Sequence, residues 1–237
     1  MTSTKRKKQE KPGSVGRPRR ELAGAVDERL LDAAQKVFLK RGFGGASVDE
    51  IAEVARAGKP TIYARYPQKE ALFAAVVDRM VRRNAESVVA AGFVSDVGGD
   101  TDQRLTRLAA FLLRRVLTPE TVGLIRSTIA EAQRFPDLAS SVHRMTRERG
   151  SEIIAHVLGD LAKSNEIDRI PAFAPNRVHE TARRFADLVL LPMLLRALFG
   201  ENLDALAAEA ESAVPAAVAF FLTGCQYAGA SNPCEKT

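Results

Sequence analysis

The sequence predicts an all-α fold of about nine helices, and three observations lead to this prediction. Of its 237 residues 46% are hydrophobic but only 6% are aromatic and none is Trp, which indicates an aliphatic core. Apolar residues recur at helical spacing along most of the chain, and no segment has a convincing strand pattern. Ser, Thr, Pro and Gly stand where helices begin and end. The length favours a small domain joined to a larger one.

The first 20 residues form a basic arm. Eight Lys or Arg and a single acidic residue give this arm a net charge of +7, against +6 for the whole chain. Such a segment buries too little apolar surface to fold, so we expect residues 1–24 to be disordered until they meet a polyanion. The Gly-Arg-Pro-Arg run at residues 16–19 resembles the core of an AT-hook, in which Arg17 and Arg19 enter the minor groove. A solvated tail is the alternative.

The first two helices follow from local signals. Five apolar residues at helical spacing predict a first helix that ends at Gly42: Leu30, Leu31, Ala34, Val37 and Phe38. Ser47 and Glu50 have the spacing of a capping box, in which the hydroxyl accepts a backbone N–H and the carboxylate reaches back. The second helix is therefore predicted to begin at about Val48.

A tight turn and a short third helix follow. Residues 56–58 form the turn, and Pro60 suits the first turn of a helix because its φ is fixed. This helix is predicted to end by Tyr66, since Pro67 disfavours helical geometry in the residue before it. Two helices joined in this way make a helix-turn-helix, whose second helix lies in the major groove.

Residues 47–52, 59–67 and 69–72 resemble the signature of the TetR family of bacterial transcriptional regulators, with an AcrR-like helix-turn-helix domain. The resemblance covers residues 27–75. It implies that Arg65 reads bases, where a guanidinium can hold guanine O6 and N7 together. It also implies that the N-terminus capped by Ser47 holds a phosphate. The remaining implied DNA contacts are Lys59, Pro60, Thr61, Tyr63, Ala64, Tyr66 and Lys69.

One group of residues in this motif has an alternative role, and two other residues depart from the family pattern. Tyr63 and Tyr66, with Ile62, are alternatively the buried face of a packing helix. Arg56 stands where the family often has Gly, and its cost is on the order of 1 kcal/mol if the turn requires a left-handed residue. Gly58 stands in place of the usual Ser or Asn cap, which Gly replaces acceptably.

The remainder of the chain is predicted to be helical. A connecting helix runs from Lys69 to about Ala91, and a loop follows at residues 92–102. Later helices are predicted to begin at Pro119, capped by Thr118, and at Pro136. Further helices end at Phe199 and at about Thr223, after a long loop at residues 165–174. We therefore divide the chain into a helix-turn-helix domain (25–72), a helical ligand-binding and dimerisation domain (73–225) and a flexible tail (226–237).

The resemblance implies a homodimer and a small-molecule effector. In the family the last two long helices form a four-helix bundle with the partner, and Pro192 and Pro215 are expected to kink them or shift their hydrogen bonds. The predicted interface comprises Phe185, Leu188, Leu195, Leu198, Leu206, Ala210, Val214, Val218 and Phe221. Burial within one subunit is the alternative for about half of these positions. A ligand pocket is expected between residues 103 and 159, lined by Phe111, Arg114, Arg126, Ile129, Gln133 and His143, with surface exposure as the alternative.

Other protein classes are disfavoured. No apolar stretch follows the basic arm as a signal peptide requires, and the longest apolar run, residues 188–195, is too short to span a membrane. Cys225 and Cys234 lack metal-ligand spacing and fit a reducing cytosol. Glu152 and His156 are one residue too far apart for a di-iron motif.

We therefore expect a cytoplasmic DNA-binding regulator that needs no cofactor or metal and has no enzyme activity. In this interpretation the protein is a repressor that a small molecule releases from a palindromic operator. Two alternatives come from other classes. One is an architectural DNA-binding protein that acts through the basic arm, and the other is an enzyme built on a helical bundle.

Overall fold

The computed structural model describes residues 19–93, 100–164 and 170–227, and these ranges contain helices and no strand. The prediction of an all-α fold with about nine helices is confirmed. The helices are α1 (Arg19–Gly45), α2 (Val48–Ala55), α3 (Lys59–Tyr63), α4 (Lys69–Ala90), α5 (Thr101–Val116), α6 (Pro119–Ala130), α7 (Pro136–Ser164), α8 (Val178–Phe185), α9 (Leu191–Leu198) and α10 (Leu203–Tyr227). Arg17 and residues 228–237 of the predicted tail lie outside the described residues.

Helix α1 differs from its prediction at its N-terminus. It begins at Arg19, so the arm boundary placed at residue 24 falls inside a helix. The Arg-Arg-Glu-Leu-Ala sequence that opens α1 consists of good helix formers, and this local propensity extends the helix toward the arm. At the other end Gly42 has φ 69°, and the backbone leaves helical geometry there as predicted.

The long helix predicted to end at Phe199 is interrupted. Between α8 and α9 the segment Ala186–Leu190 is π-helical. Pro192 lacks an N–H, and its ring crowds the carbonyl of Leu188 four residues earlier, which accounts for the altered hydrogen bonding. The predicted shift at Pro192 is thus observed, whereas Pro215 lies within the continuous helix α10.

Two hydrophobic cores are arranged along the connecting helix α4. The first unites α1–α3 with Phe73 and its neighbours on α4, and it also takes in Leu124 of α6 and Val142 of α7. The second unites α5, α7, α8, α9 and α10 with Val88 near the end of α4. Because α4 contributes to both cores, it is the element that joins the helix-turn-helix to the larger helical region.

Aromatic rings fill the centre of the first core. Phe43 lies 5.1 Å from Phe73 and 5.2 Å from Phe135 between ring centroids, both edge to face. Phe38 meets Phe73 in the same way at 5.0 Å. Edge-to-face pairs stabilise beyond the area they bury. Phe135 precedes α7, so this cluster ties the helix-turn-helix to the start of α7.

Candidate nucleic-acid interface

The N-terminus of α2 is capped as predicted. Ser47 Oγ accepts a hydrogen bond from the backbone N of Glu50 at 3.1 Å. The Glu50 carboxylate accepts from Nε of Arg41 at 3.3 Å, so the capping box is present in its Ser47 half. The positive end of the α2 dipole lies at an exposed Ser47, which favours an anion there.

The turn between α2 and α3 requires an unusual backbone conformation. Arg56 has φ 50° and ψ 47°, and it is the one non-glycine residue with positive φ among the residues described. Its left-handed conformation lets the N–H of Ala57 reach the carbonyl of Ala52 at 3.0 Å, which closes α2. Gly58 then precedes α3 in extended backbone, and Pro60 stands in the first turn.

Helix α3 has one inward residue and an outward polar face. Ile62 is buried in the first core, as the alternative of a packing face predicted for it, whereas Tyr63 is 47% exposed. Thr61 is half-buried, and the other outward positions, Lys59, Pro60 and Ala64, are exposed. This helix therefore presents a phenol and an ammonium group to solvent, and a hydroxyl in part.

Arg65 and Tyr66 share a partner that the sequence did not indicate. The hydroxyl of Tyr66 donates to Oδ1 of Asp27 on α1 at 3.0 Å. Nε of Arg65 lies 3.6 Å from the same carboxylate oxygen. Burial, followed by the hydrogen bond to Asp27, raises the pKa of Tyr66 to about 12. Tyr66 therefore points its hydroxyl into the domain and not outward to a phosphate.

Lys69 also differs from its predicted role. Its Nζ donates to the carbonyls of Phe43 at 2.8 Å and Ala46 at 3.0 Å, lies 3.5 Å from that of Gly44, and sits 4.6 Å from the Phe43 ring centroid. The ammonium thus satisfies carbonyls at the end of α1 and has no proton left for DNA. Lys59 stays exposed, and its bond to Asp49 at 2.6 Å raises its pKa.

The predicted dimer interface divides into an inner and an outer set. Six of its nine members are buried in the second core, which agrees with the alternative of burial within one subunit and not with the predicted interface. They are Phe185, Leu206, Ala210, Val214, Val218 and Phe221. Leu198 is half-buried, and Leu188 and Leu195 are exposed. The sequence missed three further exposed apolar side chains of this region, Leu191, Phe199 at 85% and Phe220 at 70% exposed. We call Leu188, Leu191, Leu195, Phe199 and Phe220 the apolar stripe.

The six predicted ligand residues do not surround one cavity. Arg114, Ile129, Gln133 and His143 are exposed. Arg126 caps α9, because its Nε donates to the carbonyl of Leu198 at 3.0 Å and its Nη2 to that of Ala197. Phe111 packs against Phe93 with ring centroids 5.0 Å apart. None of the six lines the α4–α7 or the α7–α8 cavity described next.

The larger cavity is a groove of about 540 Å³ between α4 and α7. Its walls combine apolar and charged side chains: Val81, Arg82, Ala85, Ser141, Arg144, Met145, Glu148, Arg149, Glu152 and Ile153. A second cavity of about 210 Å³ lies between α7 and His179 of α8. The larger volume is within the range of small-molecule sites. We call it the α4–α7 groove.

Two neighbouring residues of α4 connect this groove to the helix-turn-helix. Arg79 is 2% exposed, and its guanidinium donates to Asp32 Oδ1 at 2.8 Å, to Gln35 Oε1 at 2.9 Å and to both the carbonyl and carboxylate of Glu28 at 3.2 Å, all on α1. Asp78 lies toward α7, with its buried Oδ1 in an ion pair 2.7 Å from Nη1 of Arg149, outside hydrogen-bond angles. Helix α4 is thus linked to α1 through Arg79 and to α7, the other wall of the groove, through Asp78.

Two further features of the described residues bear on other functions. The described part of the chain contains no group of three His, Cys, Asp or Glu residues that could hold a metal ion. One described helix, α10, is long and apolar enough over Leu203–Gln226 to pass for a membrane span. An 18-residue window of that stretch has mean hydropathy 1.5, and 28% of the window is buried. Core helices of soluble proteins pass the same test, and the inner side of α10 packs in the second core.

Two family models match the chain. The one described as bacterial regulatory proteins, tetR family, matches residues 30–76. The one described as AefR-like transcriptional repressor, C-terminal domain, matches residues 103–227.

Individual proteins resemble the chain over most of its length. The HTH-type transcriptional regulator Rv1556 of Mycobacterium tuberculosis is 26% identical in an alignment of 188 positions that covers 72% of this chain and 88% of that protein. A solved TetR-family transcriptional regulator from Mesorhizobium loti has a TM-score of 0.69 at 24% identity and covers 85% of this chain and 97% of its own. The flavonoid-responsive regulator FrrA has a TM-score of 0.59 at 25% identity and the same two coverages.

Proposed function

The chain belongs to the TetR family of bacterial regulatory proteins and is a DNA-binding transcriptional regulator, and we propose that it is a repressor released from a palindromic operator by a small molecule. The observation that carries the proposal is the outward polar face of α3 beside the capped N-terminus of α2. Regulators of this family bind DNA operators as dimers and are soluble cytoplasmic proteins.

The DNA-contacting surface comprises fewer residues than the motif implied. Thr61, Tyr63 and Lys59 meet phosphates or thymine methyls in the major groove, where Pro60 and Ala64 allow close approach. The guanidinium of Arg65 reads a guanine, a contact worth about 1 to 3 kcal/mol of discrimination. The N-terminus of α2 at Ser47 holds a phosphate. Tyr66 and Lys69 stabilise the domain instead. Arg17 adds a contact from the arm, and Arg19 adds one from the start of α1.

The second copy of the chain covers the apolar stripe. Large exposed apolar patches mark interaction sites, and Phe199 and Phe220 are the most exposed members of this one. Arg196 of α9 joins Glu209 of α10 at 2.6 Å and Glu201 at 2.7 Å, which fixes the two helices beside each other. A two-fold contact through this face gives a dimer with two recognition helices, as a palindrome requires.

The effector binds in the α4–α7 groove. A ligand between these helices changes the position of α4, which the Arg79 contacts transmit to α1 and the helix-turn-helix. A coupling of about 1 to 3 kcal/mol between ligand and DNA is enough for induction. Relatives include one named for its response to flavonoids, and a flavonoid is therefore the first probe.

The DNA-binding proposal is tested with the full-length protein on fragments of its source genome, near physiological salt and with competitor DNA. We expect discrete fragments to bind and a Tyr63→Ala/Arg65→Ala double variant to release them. Deletion of residues 1–18, which spares α1, weakens binding to all fragments and lowers its salt dependence. If all fragments bind equally and only the deletion matters, the protein is an architectural DNA-binding protein and the proposal is wrong.

The effector proposal is tested by adding a flavonoid to the operator complex and following its dissociation by fluorescence anisotropy. A Met145→Trp variant fills the α4–α7 groove, so it should bind DNA normally and resist release. Ile129→Trp, at an exposed site on α6, is the matched control and should respond like the native protein. Release that is equal in all three proteins would place the effector outside the groove.

A further inference from the structure

Asp27 on α1 lies against the end of the recognition helix. Its side chain is 37% exposed, and its Oδ1 accepts from the hydroxyl of Tyr66 at 3.0 Å while lying 3.6 Å from Nε of Arg65. The proposed function gives this acidic residue no role. A carboxylate at a DNA-binding surface repels phosphates, so its position beside the base-reading arginine requires a reason.

The contact with Asp27 occupies one edge of the Arg65 guanidinium. Nε faces the carboxylate. Nη1 donates to the carbonyl of Thr61 at 3.5 Å, which is long and therefore weak for a hydrogen bond. No hydrogen bond or ion pair holds Nη2 within the residues that the structure describes. Each terminal nitrogen carries two N–H groups, so Nη2 and the second N–H of Nη1 remain available as an adjacent pair of donors. Guanine presents O6 and N7 side by side, and such an end-on pair matches them.

We propose that Asp27 is a positioning residue for base recognition, whose carboxylate orients Arg65 so that its two Nη groups meet a guanine. The inference rests on the proposed function. Tyr66 holds the carboxylate in place through its hydroxyl, which explains why this tyrosine faces inward. Orienting a flexible arginine before binding lowers the entropy that the contact costs. Specificity at one base pair thus depends on a side chain of α1 that does not touch that base pair.

The experiment begins with selection of binding sites from a random-sequence duplex library by the native full-length protein. Arg65→Ala then identifies the guanine at which discrimination is lost. Dissociation constants for the selected site and for its variant at that guanine are measured by fluorescence anisotropy for native protein, Asp27→Asn, Arg65→Ala and the double variant. We expect Asp27→Asn to lower discrimination at that guanine about two- to fivefold, as a partly exposed ion pair allows. In the Arg65→Ala background, Asp27→Asn should not lower discrimination at that guanine any further.

Two other variants separate positioning from charge and from packing. Glu53→Gln removes one exposed carboxylate from α2, so it changes affinity for all sequences alike and leaves discrimination unchanged. Tyr66→Phe keeps the Asp27 charge but frees the carboxylate, and it should lower discrimination at the same guanine by less than Asp27→Asn does. Asparagine still accepts from Tyr66, so Asp27→Asn preserves the link between α1 and the end of α3.

The outcomes are distinct. If Asp27→Asn changes every affinity by one factor, as Glu53→Gln does, the positioning role is wrong while the regulator function stands. If the native protein enriches no sequence from the library, the proposed function fails, and the positioning role fails with it.

Discussion

The helix-turn-helix and the α9–α10 region present opposite chemistry to solvent. Around α3 the apolar Ile62 is buried, and the exposed groups are a phenol, a hydroxyl and charged side chains. On α9 and α10 the exposed groups include Phe199 and Phe220, whereas charged residues such as Arg196 and Glu209 pair with each other. Each region therefore exposes chemistry that suits the partner proposed for it, a polyanion in one case and an apolar surface of a second copy in the other.

The largest expected effect comes from a charge in the apolar stripe. Leu195→Asp places two carboxylates in the proposed two-fold contact, and each unpaired buried charge costs several kcal/mol. We expect the dimer dissociation constant to rise about 1,000-fold or more, measured by sedimentation equilibrium. Ile129→Asp, at an equally exposed apolar site on α6, should leave the dimer intact. A Leu195→Asp protein that remains dimeric would show that this region has another partner.

Arg79→Met tests how strongly α4 is held to α1 of the helix-turn-helix. This variant removes four contacts of a buried guanidinium with α1, and we expect the free energy of unfolding to fall by about 2 to 4 kcal/mol in urea titrations. Arg83→Met is the control, because Arg83 is half exposed and contacts the same Glu28 at 2.9 Å. That variant should cost less than about 1 kcal/mol. Equal losses of stability in the two variants would mean that burial of Arg79 contributes nothing to the contact between α4 and α1.

Two helix caps distinguish stability from DNA contact. Ser47 and Thr118 each accept from a backbone N three residues on, at 3.1 and 3.2 Å. Ser47→Ala and Thr118→Ala should each lower stability by about 1 kcal/mol in thermal melts. DNA affinity should fall only for Ser47→Ala, since α6 lies away from the recognition helix. An equal loss of DNA affinity in Thr118→Ala would contradict the phosphate site at the N-terminus of α2.

The smallest expected effect concerns Arg56. Its left-handed backbone is strained for a side chain with Cβ, and Arg56→Gly should raise the free energy of unfolding by about 0.5 kcal/mol after the entropy of glycine is counted. Arg29→Gly, at an exposed site within α1, should lower it by about 1 kcal/mol. Chemical denaturation measures both, and a loss of stability in Arg56→Gly would contradict the strain.

Local signals predicted the helix-turn-helix, because caps and prolines act over three or four residues. Ser47, Gly58 and Pro60 each fix a helix end without help from the rest of the chain. The contacts of Asp27 and Lys69 were missed, because Asp27 lies 39 residues from Tyr66 and Lys69 lies 26 from Phe43. Packing of α1 against α3 and α4 creates these contacts, and no sequence pattern encodes them.

In the larger region the sequence predicted the helices but not their faces. Helix α10 is apolar on both sides, so periodicity did not distinguish Val214, which is buried, from Phe220, which is exposed. The groove was missed for a related reason. Its walls come from α4 and α7, and their separation depends on the residues packed between them and not on either helix alone.

The apolar stripe also affects how the protein responds to its own abundance. In the proposed dimer a monomer has one recognition helix and leaves Phe199 and Phe220 in water, so a palindromic operator would select dimers. Where monomers predominate and the operator is mostly free, the dimer concentration grows with the square of the total protein concentration, and doubling that concentration raises operator occupancy about fourfold. Halving the concentration lowers occupancy by the same factor. A gene under this control would switch over a narrow range of repressor copy number, set by side chains far from the DNA.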